Sequence, residues 1–158
     1  MKIVYTSNAG HTAEYAKMLS ERLNIPYYSE GKIKGNVDNS DEIIYMGWVF
    51  ANKIMGYEKF KDGYNIRCVI AVGITPPSDR NKDVLITTNN IEYPFFYLRG
   101  GIDLTKISFI KRLMLKLVAK RLEKESKLEN EKLIETLKHG GDYVSSNRMN
   151  EIFKYIEK

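Results

Sequence analysis

Among the 158 residues there are one cysteine, four prolines and two histidines. A lone thiol, Cys68, excludes an intrachain disulfide framework, and no cysteine–histidine group has the spacing of a zinc site. The implied compartment is reducing, so a cytoplasmic location is expected. No apolar run reaches the roughly 18 uninterrupted residues of a membrane span. No secretory leader is expected, because Lys2 is followed by a strand-like run and then by polar residues. Internal repeats, low-complexity tracts and long linkers are also missing, so one domain over 1–158 is expected. No paired carboxylates, catalytic triad or metal-ligand set stand out, so no catalytic residue is assigned.

What the chain does have is an ordinary globular composition, 43% hydrophobic and 28% charged. Its net charge of +5 favours anionic partners: a lipid surface, an acidic protein or nucleic acid. Residues 2–6 (KIVYT), 42–47 (EIIYMG), 67–73 (RCVIAVG) and 94–98 read as strands, with a short extended segment at Pro26-Tyr27-Tyr28. Residues 11–23 read as a helix, with Tyr15, Met18, Leu19 and Leu23 at helical spacing. Residues 54–62 read as a short helix, 105–138 as helical in two pieces and 145–157 as a terminal helix, whereas 29–41 read as a loop and 75–92 as irregular. The strands are continuously apolar and alternate with helices. That pattern predicts a parallel sheet covered on both faces, a three-layer α/β sandwich.

In such a sheet ligands bind beyond the carboxyl ends of the strands, near a topological switch point. The stretch IVYTSNAGHTAEYA, from Ile3, turns there from strand to helix. Gly10 permits close backbone approach, the helix start offers free N–H groups, and Ser7, Asn8 and Thr12 add side-chain donors. This suits a phosphate. No lysine and no Gly-Lys-Ser/Thr follow, which argues against a nucleoside-triphosphatase loop. No G-x-G-x-x-G is present, which argues against a dinucleotide site, so a single terminal phosphate fits better. The plain alternative is a strand–turn–helix in which Ser7 or Thr12 caps the helix.

The segment Ile3 to Leu19 resembles the flavodoxin signature: aliphatics, an aromatic, Ser7, Gly10, Thr12, Ala16 and Leu19. The resemblance implies a flavodoxin-like sandwich with a five-stranded parallel sheet in the order 2-1-3-4-5. It implies FMN as cofactor, with Ser7, Asn8, Gly10 and Thr12 around its phosphate. Ala9 stands where that family usually has threonine, and His11 where it usually has asparagine, so one hydroxyl donor is lost and one ring donor gained. The resemblance also implies that the loops after the third and fourth strands wall the flavin ring. Here these are Gly47-Trp48-Val49-Phe50-Ala51-Asn52 and Gly73-Ile74-Thr75-Pro76-Pro77. Trp48, the only tryptophan, is the first candidate to stack on the ring and Phe50 the second; the alternative is that both are packing residues. Gly47 and Gly73 would let backbone approach the ring, or simply end their strands. His139, in His139-Gly140-Gly141, reads as a helix end, and Cys68 as a buried strand residue.

Residues 105–125 (TKISFIKRLMLKLVAKRLEKE) combine an apolar face of Phe109, Ile110, Leu113, Met114, Leu117 and Val118 with Lys111, Arg112, Lys116, Lys120 and Arg121. Such a helix either lies on an anionic membrane surface or packs its stripe on the sheet with its charges in water. The first alternative would place the protein peripherally at the inner face of the membrane. Residues 123–138 are more evenly charged and read as a solvated helix or helix pair.

Flavodoxins are typically acidic, and this chain is basic. Phe96-Tyr97-Leu98-Arg99-Gly100-Gly101, followed by the basic helical extension around 105–138, resembles the menaquinone-dependent protoporphyrinogen dehydrogenase branch of the flavodoxin-like proteins. That resemblance implies an FMN-dependent oxidoreductase whose partner is a redox protein or a quinone, with Arg99 either meeting an anionic substrate group or lying on the surface. The alternatives are a soluble flavodoxin electron carrier, and a non-redox module that binds membrane or nucleic acid on the same fold. No specific nucleic acid is expected.

Overall fold

Strands that are apolar at every position have no polar face to offer water, so they bury both. In the computed structural model, which describes residues 1–125 and 130–158, they do so by forming the middle layer of an α/β fold. The elements run β1 (Lys2–Thr6), α1 (His11–Leu23), β2 (Tyr27–Ser29), β3 (Glu42–Phe50), β4 (Lys53–Ile54), β5 (Asn65–Gly73), α2 (Asp79–Asn89), β6 (Phe95–Arg99), β7 (Gly101–Ile102), α3 (Phe109–Lys124), α4 (Glu131–His139), β8 (Gly141–Asp142) and α5 (Asn150–Ile156). The main sheet has the order β2-β1-β3-β5-β6, all parallel, with β4 added antiparallel to β3. A separate two-stranded sheet pairs β7 with β8.

Alternate residues of each strand face opposite layers. On one face Ile3, Ile44, Met46, Ile70 and Leu98 meet Tyr15, Ala16 and Leu19 of α1 and Ile152 of α5. On the other, Val4, Ile43, Tyr45, Val69 and Tyr97 meet Leu85 of α2 together with Tyr57 and Phe60. A bulge between Ile43 and Ile44 skips Arg67, which ends over the Tyr155 ring, 5.1 Å from its centroid.

Several expectations are corrected. The third strand does not stop at residue 47 but continues to Phe50, turns through Ala51 and Asn52 (φ 47° and 62°), and returns as β4. Two successive left-handed residues match the twist of a tight hairpin. The main sheet therefore has six strands rather than five, and it is mixed rather than wholly parallel. Residues 54–62 are not an α-helix: after β4 they hold one 3-10 turn, Tyr57–Lys59. The segment 75–92 is not irregular, because it contains α2, whose Ser78 hydroxyl accepts from the Asn81 N–H at 3.2 Å. At the end of the chain, a 3-10 turn over Ser146–Met149 precedes α5. Part of the helical segment expected over 123–138, residues 126–129, lies outside the described residues.

The basic helix does not lay its stripe on the sheet. Of α3 only Ala119 is buried, and the helix packs on α4. No helix among the described residues is long and apolar enough to cross a membrane.

Candidate functional site

β1 ends at Thr6, paired with Gly47 of β3, and α1 starts at His11. The four residues between them make the elbow. Gly10 is the residue before the helix, at φ 102°, a left-handed conformation that glycine adopts without a steric penalty. No side chain caps α1. Ser7 instead accepts from the Gly10 N–H at 3.2 Å, and Thr12 is inside the first turn, so neither is the cap. The N–H groups of His11, Thr12 and Ala13 have no intrahelical acceptor, since the first helical bond is Glu14 N–H to the Gly10 carbonyl at 2.9 Å. Thr12 is 2% exposed, and its hydroxyl has no hydrogen-bond partner among the described residues. An uncapped positive helix end beside a free hydroxyl is a receptive site for an anion.

A cavity of about 490 Å³ opens beside the elbow. Ala9, Gly10, His11 and Glu14 line one side; Ile102, the loop Asp103–Lys106, Gly141 and Asp142 line the other, with His139 from the end of α4. Both histidines of the chain therefore line the same cavity. Asp103 is held by its own loop: Thr105 donates its N–H at 2.9 Å and its hydroxyl at 2.5 Å, and Lys106 pairs with it at 3.1 Å. The Thr105 hydroxyl, then Lys106, hold this carboxyl down at about 2. Asp142 accepts from the Val144 N–H at 3.0 Å and lies 3.8 Å from His11 Nε2. The two carboxylates facing the elbow across the cavity thus already serve donors of their own.

The far wall is brought to the elbow by the β7–β8 pair and by Tyr15. The Tyr15 hydroxyl donates to the Arg99 carbonyl at 2.9 Å and accepts from the Ser145 N–H at 3.2 Å, which ties α1 to both ends of the excursion through α3 and α4. Burial raises the pKa of this phenol, so it stays protonated as a donor.

Arg99, for which a surface position was one alternative, is only 8% exposed. Its Nε donates to the Ile74 carbonyl and its Nη2 to the Thr136 hydroxyl, both at 3.2 Å, and the guanidinium lies 3.6 Å from the Tyr143 ring centroid. No carboxylate among the described residues pairs with it. Carbonyl, hydroxyl and aromatic face together solvate this charge.

The expected ring walls lie at the same carboxyl edge of the sheet but do not line the cavity. Trp48 and Phe50 belong to β3 itself and project from the face that carries Met46 and α1, past the end of β1. Their rings are 5.8 Å apart and tilted by 47°; Trp48 is half-buried and Phe50 is 57% exposed. Val49 faces the opposite layer and pairs with Ile54. Asn52 offers its carbonyl to Asn89 Nδ2 at 2.9 Å. Gly47 is small because Ile54 leaves no room: a Cβ there would stand 2.5 Å from Ile54 Cγ2. At Gly73 a Cβ would stand 2.5 Å from the Tyr97 hydroxyl. The Ile74 and Thr75 carbonyls accept from Arg99 and Tyr97.

Of the residues singled out in the sequence, the cavity gathers Ala9, Gly10 and His11. It adds Glu14, Asp103, Lys106, His139 and Asp142, which were not assigned to the site. The available signal was the repeated Gly-Gly pair, Gly100-Gly101 and Gly140-Gly141, whose second members open β7 and β8. Neither a scan against protein-family models nor a search of curated proteins finds a match to this chain, so its function is read from the elbow, the cavity and the helices themselves.

Proposed function

We propose that the protein is an FMN-binding redox protein on a flavodoxin-like fold. The observation that carries this reading is the uncapped start of α1, placed where the chain order of the sheet reverses. β1 lies between β2 on one side and β3 on the other, so the elbow occupies a switch point at the carboxyl edge. Leaving aside the small β4, the strand order β2-β1-β3-β5-β6 supports the 2-1-3-4-5 arrangement expected of this fold.

The residues present fit the group. Free N–H groups at His11, Thr12 and Ala13, the Thr12 hydroxyl and the nearby Ser7 and Asn8 suit the phosphate. Trp48 and Phe50, with the Gly73–Thr75 segment, supply aromatic surface and backbone polar groups for the ring. FMN, when bound, supplies one- and two-electron transfer. The protein's own residues bind the phosphate, orient the ring and set its surroundings. Arg99, held against the Ile74 carbonyl, adds a fixed positive charge behind the Gly73–Thr75 segment.

The specific version preferred is an oxidoreductase of the quinone-linked protoporphyrinogen dehydrogenase type, with a redox protein or quinone as partner. The basic charge of the chain favours this over a soluble flavodoxin carrier. The test is FMN titration of the purified protein, followed by flavin absorbance and Trp48 fluorescence. The wild type retains FMN after gel filtration. Thr12→Val keeps its circular dichroism and weakens binding by about 10-fold or more, the worth of a hydrogen bond to a charged group. A protein that retains no FMN, or a Thr12→Val titration that overlays the wild type, removes the elbow from this role and leaves the non-redox module on the same fold.

A further inference from the structure

Six of the large apolar residues of α3 form the most exposed apolar group among the described residues. Phe109 is 78% exposed, Ile110 70%, Leu117 58%, Met114 54%, Leu113 50% and Val118 48%. At 3.6 residues per turn they spread over about 180° of the helix circumference. The helix is attached to the protein by the remaining strip: Ala119 is fully buried, and Leu115 and Leu122 are half-buried, on the side that meets α4. The wide apolar arc therefore faces away from the body of the protein.

We propose that α3 seats the protein on an anionic membrane surface. The apolar arc from Phe109 to Val118 enters the boundary between headgroups and acyl chains, and Lys111, Lys116, Lys120 and Arg121 meet lipid phosphates. This does not depend on flavin binding.

Charge complementarity selects this occupant. Lys111, Arg112, Lys116 and Lys120 form no ion pair among the described residues, and the acidic residues of the helix are confined to its end: Glu123 pairs with Lys138, and Glu125 lies just beyond. At the same spacing Lys111 and Lys116 flank the apolar arc, and Lys120 and Arg121 continue its face past Val118. Basic residues at the edges and end of an apolar arc suit an interfacial anchor, strengthened by each one near an anionic leaflet. A second copy of the chain covering the same arc would bring these cations against their own kind. A partner helix would need only a narrow seam of about 100° rather than a convex half-cylinder.

The test is sedimentation of the whole 158-residue chain, without added FMN, with vesicles of phosphatidylcholine alone or mixed with phosphatidylglycerol. Binding to the mixed vesicles at low salt is expected, at least about 10-fold weaker on phosphatidylcholine and reversed by high salt. Leu113→Asp/Leu117→Asp and Lys116→Glu/Lys120→Glu should each lower partitioning by about 10-fold or more while melting stays unchanged, since all four side chains are exposed. Wild-type protein that stays in the supernatant with the mixed vesicles overturns the proposal. So does equal binding by either double variant. A concentration-dependent dimer that the leucine pair abolishes, with no vesicle binding, assigns the arc to a second copy instead.

Discussion

Gly56 offers a test of the polar cluster that anchors the end of β1, directly before the elbow. Thr6 Oγ1 donates to Glu30 Oε2 at 2.9 Å and lies 2.9 Å from the Tyr45 hydroxyl, which donates to the Met55 carbonyl at 2.7 Å. Lys59 closes the cluster on Glu30. Gly56 sits against it at φ 85°, and a Cβ there would stand 2.3 Å from Thr6 Oγ1, 2.3 Å from the Tyr45 hydroxyl and 3.0 Å from Glu30 Oε2. Gly56→Ala therefore incurs two costs: about 1–2 kcal/mol for a left-handed L-residue, and a further ~1–3 kcal/mol for overpacking and displaced hydroxyls. The sum, roughly 2–5 kcal/mol, is a large share of an ordinary domain stability of about 5–15 kcal/mol. At about 2–4 °C per kcal/mol for a chain of this size, the melting temperature should fall by roughly 10 °C.

Two other glycines separate the costs. Gly10 has φ 102° but nothing within 4 Å of a Cβ, so Gly10→Ala should show the strain alone. Gly63 has neither problem, and Gly63→Ala should be near neutral. Thermal and urea melts of the three variants should rank them in that order. A Gly56→Ala protein melting within a degree or two of wild type would refute both the cluster geometry and the cost assigned to it.

Two further outcomes follow from the electrostatics. Lys59, then Thr6, hold the Glu30 carboxyl below its usual value of 4.5, so its contribution to stability is present above that pH and is lost as pH falls through the folded value. The stability difference between wild type and Glu30→Gln in urea melts should therefore be largest at neutral pH and shrink below about pH 4.5; a constant difference from pH 7 to pH 3 would contradict this. Cys68 is fully buried in β5, and burial pushes its thiol up to about 12, so it should resist alkylation at pH 8 until the protein unfolds. Native-state labelling as fast as in denaturant would contradict it.

What the sequence made legible was local. β1 and α1 could be read because the apolar run of 2–6 and the spacing of Tyr15, Leu19 and Leu23 each carry one clear period. α2 could not, because it buries only Leu85 and Asn89; its one sound signal was Ser78 ahead of it. Tyr57 and Phe60, three residues apart, imitate a helical stripe. In fact they pack beneath Tyr45 from a 3-10 turn, and the left-handed Ala51-Asn52 pair that folds β4 back carries no glycine to announce it. The stripe of α3 was equally plain, but a period cannot say what covers it; only the packing on α4 decides that. The elbow was legible for the same local reason as β1. Its opposite wall was not, since Asp103, His139 and Asp142 reach it through a pairing between strands of two residues each, far apart in the chain.

The packing of α5 bears on how the chain is made. Met149 and Ile152 share a core with Ile3, Tyr15 and Leu19, Tyr155 donates to the Arg67 carbonyl at 3.2 Å, and Arg22 lies over the Phe153 ring. The side of the sheet that carries α1 (His11–Leu23) is closed by α5 (Asn150–Ile156), the later of the two to be synthesised. At a translation rate of about 5–20 residues per second, roughly ten seconds separate the two. Throughout that interval a nascent β1–α1 unit can collapse but cannot seal, and its apolar surface is open to chaperones. The phosphate-binding elbow proposed here would thus be shaped once β1 and α1 emerge and made rigid only after α5 has followed.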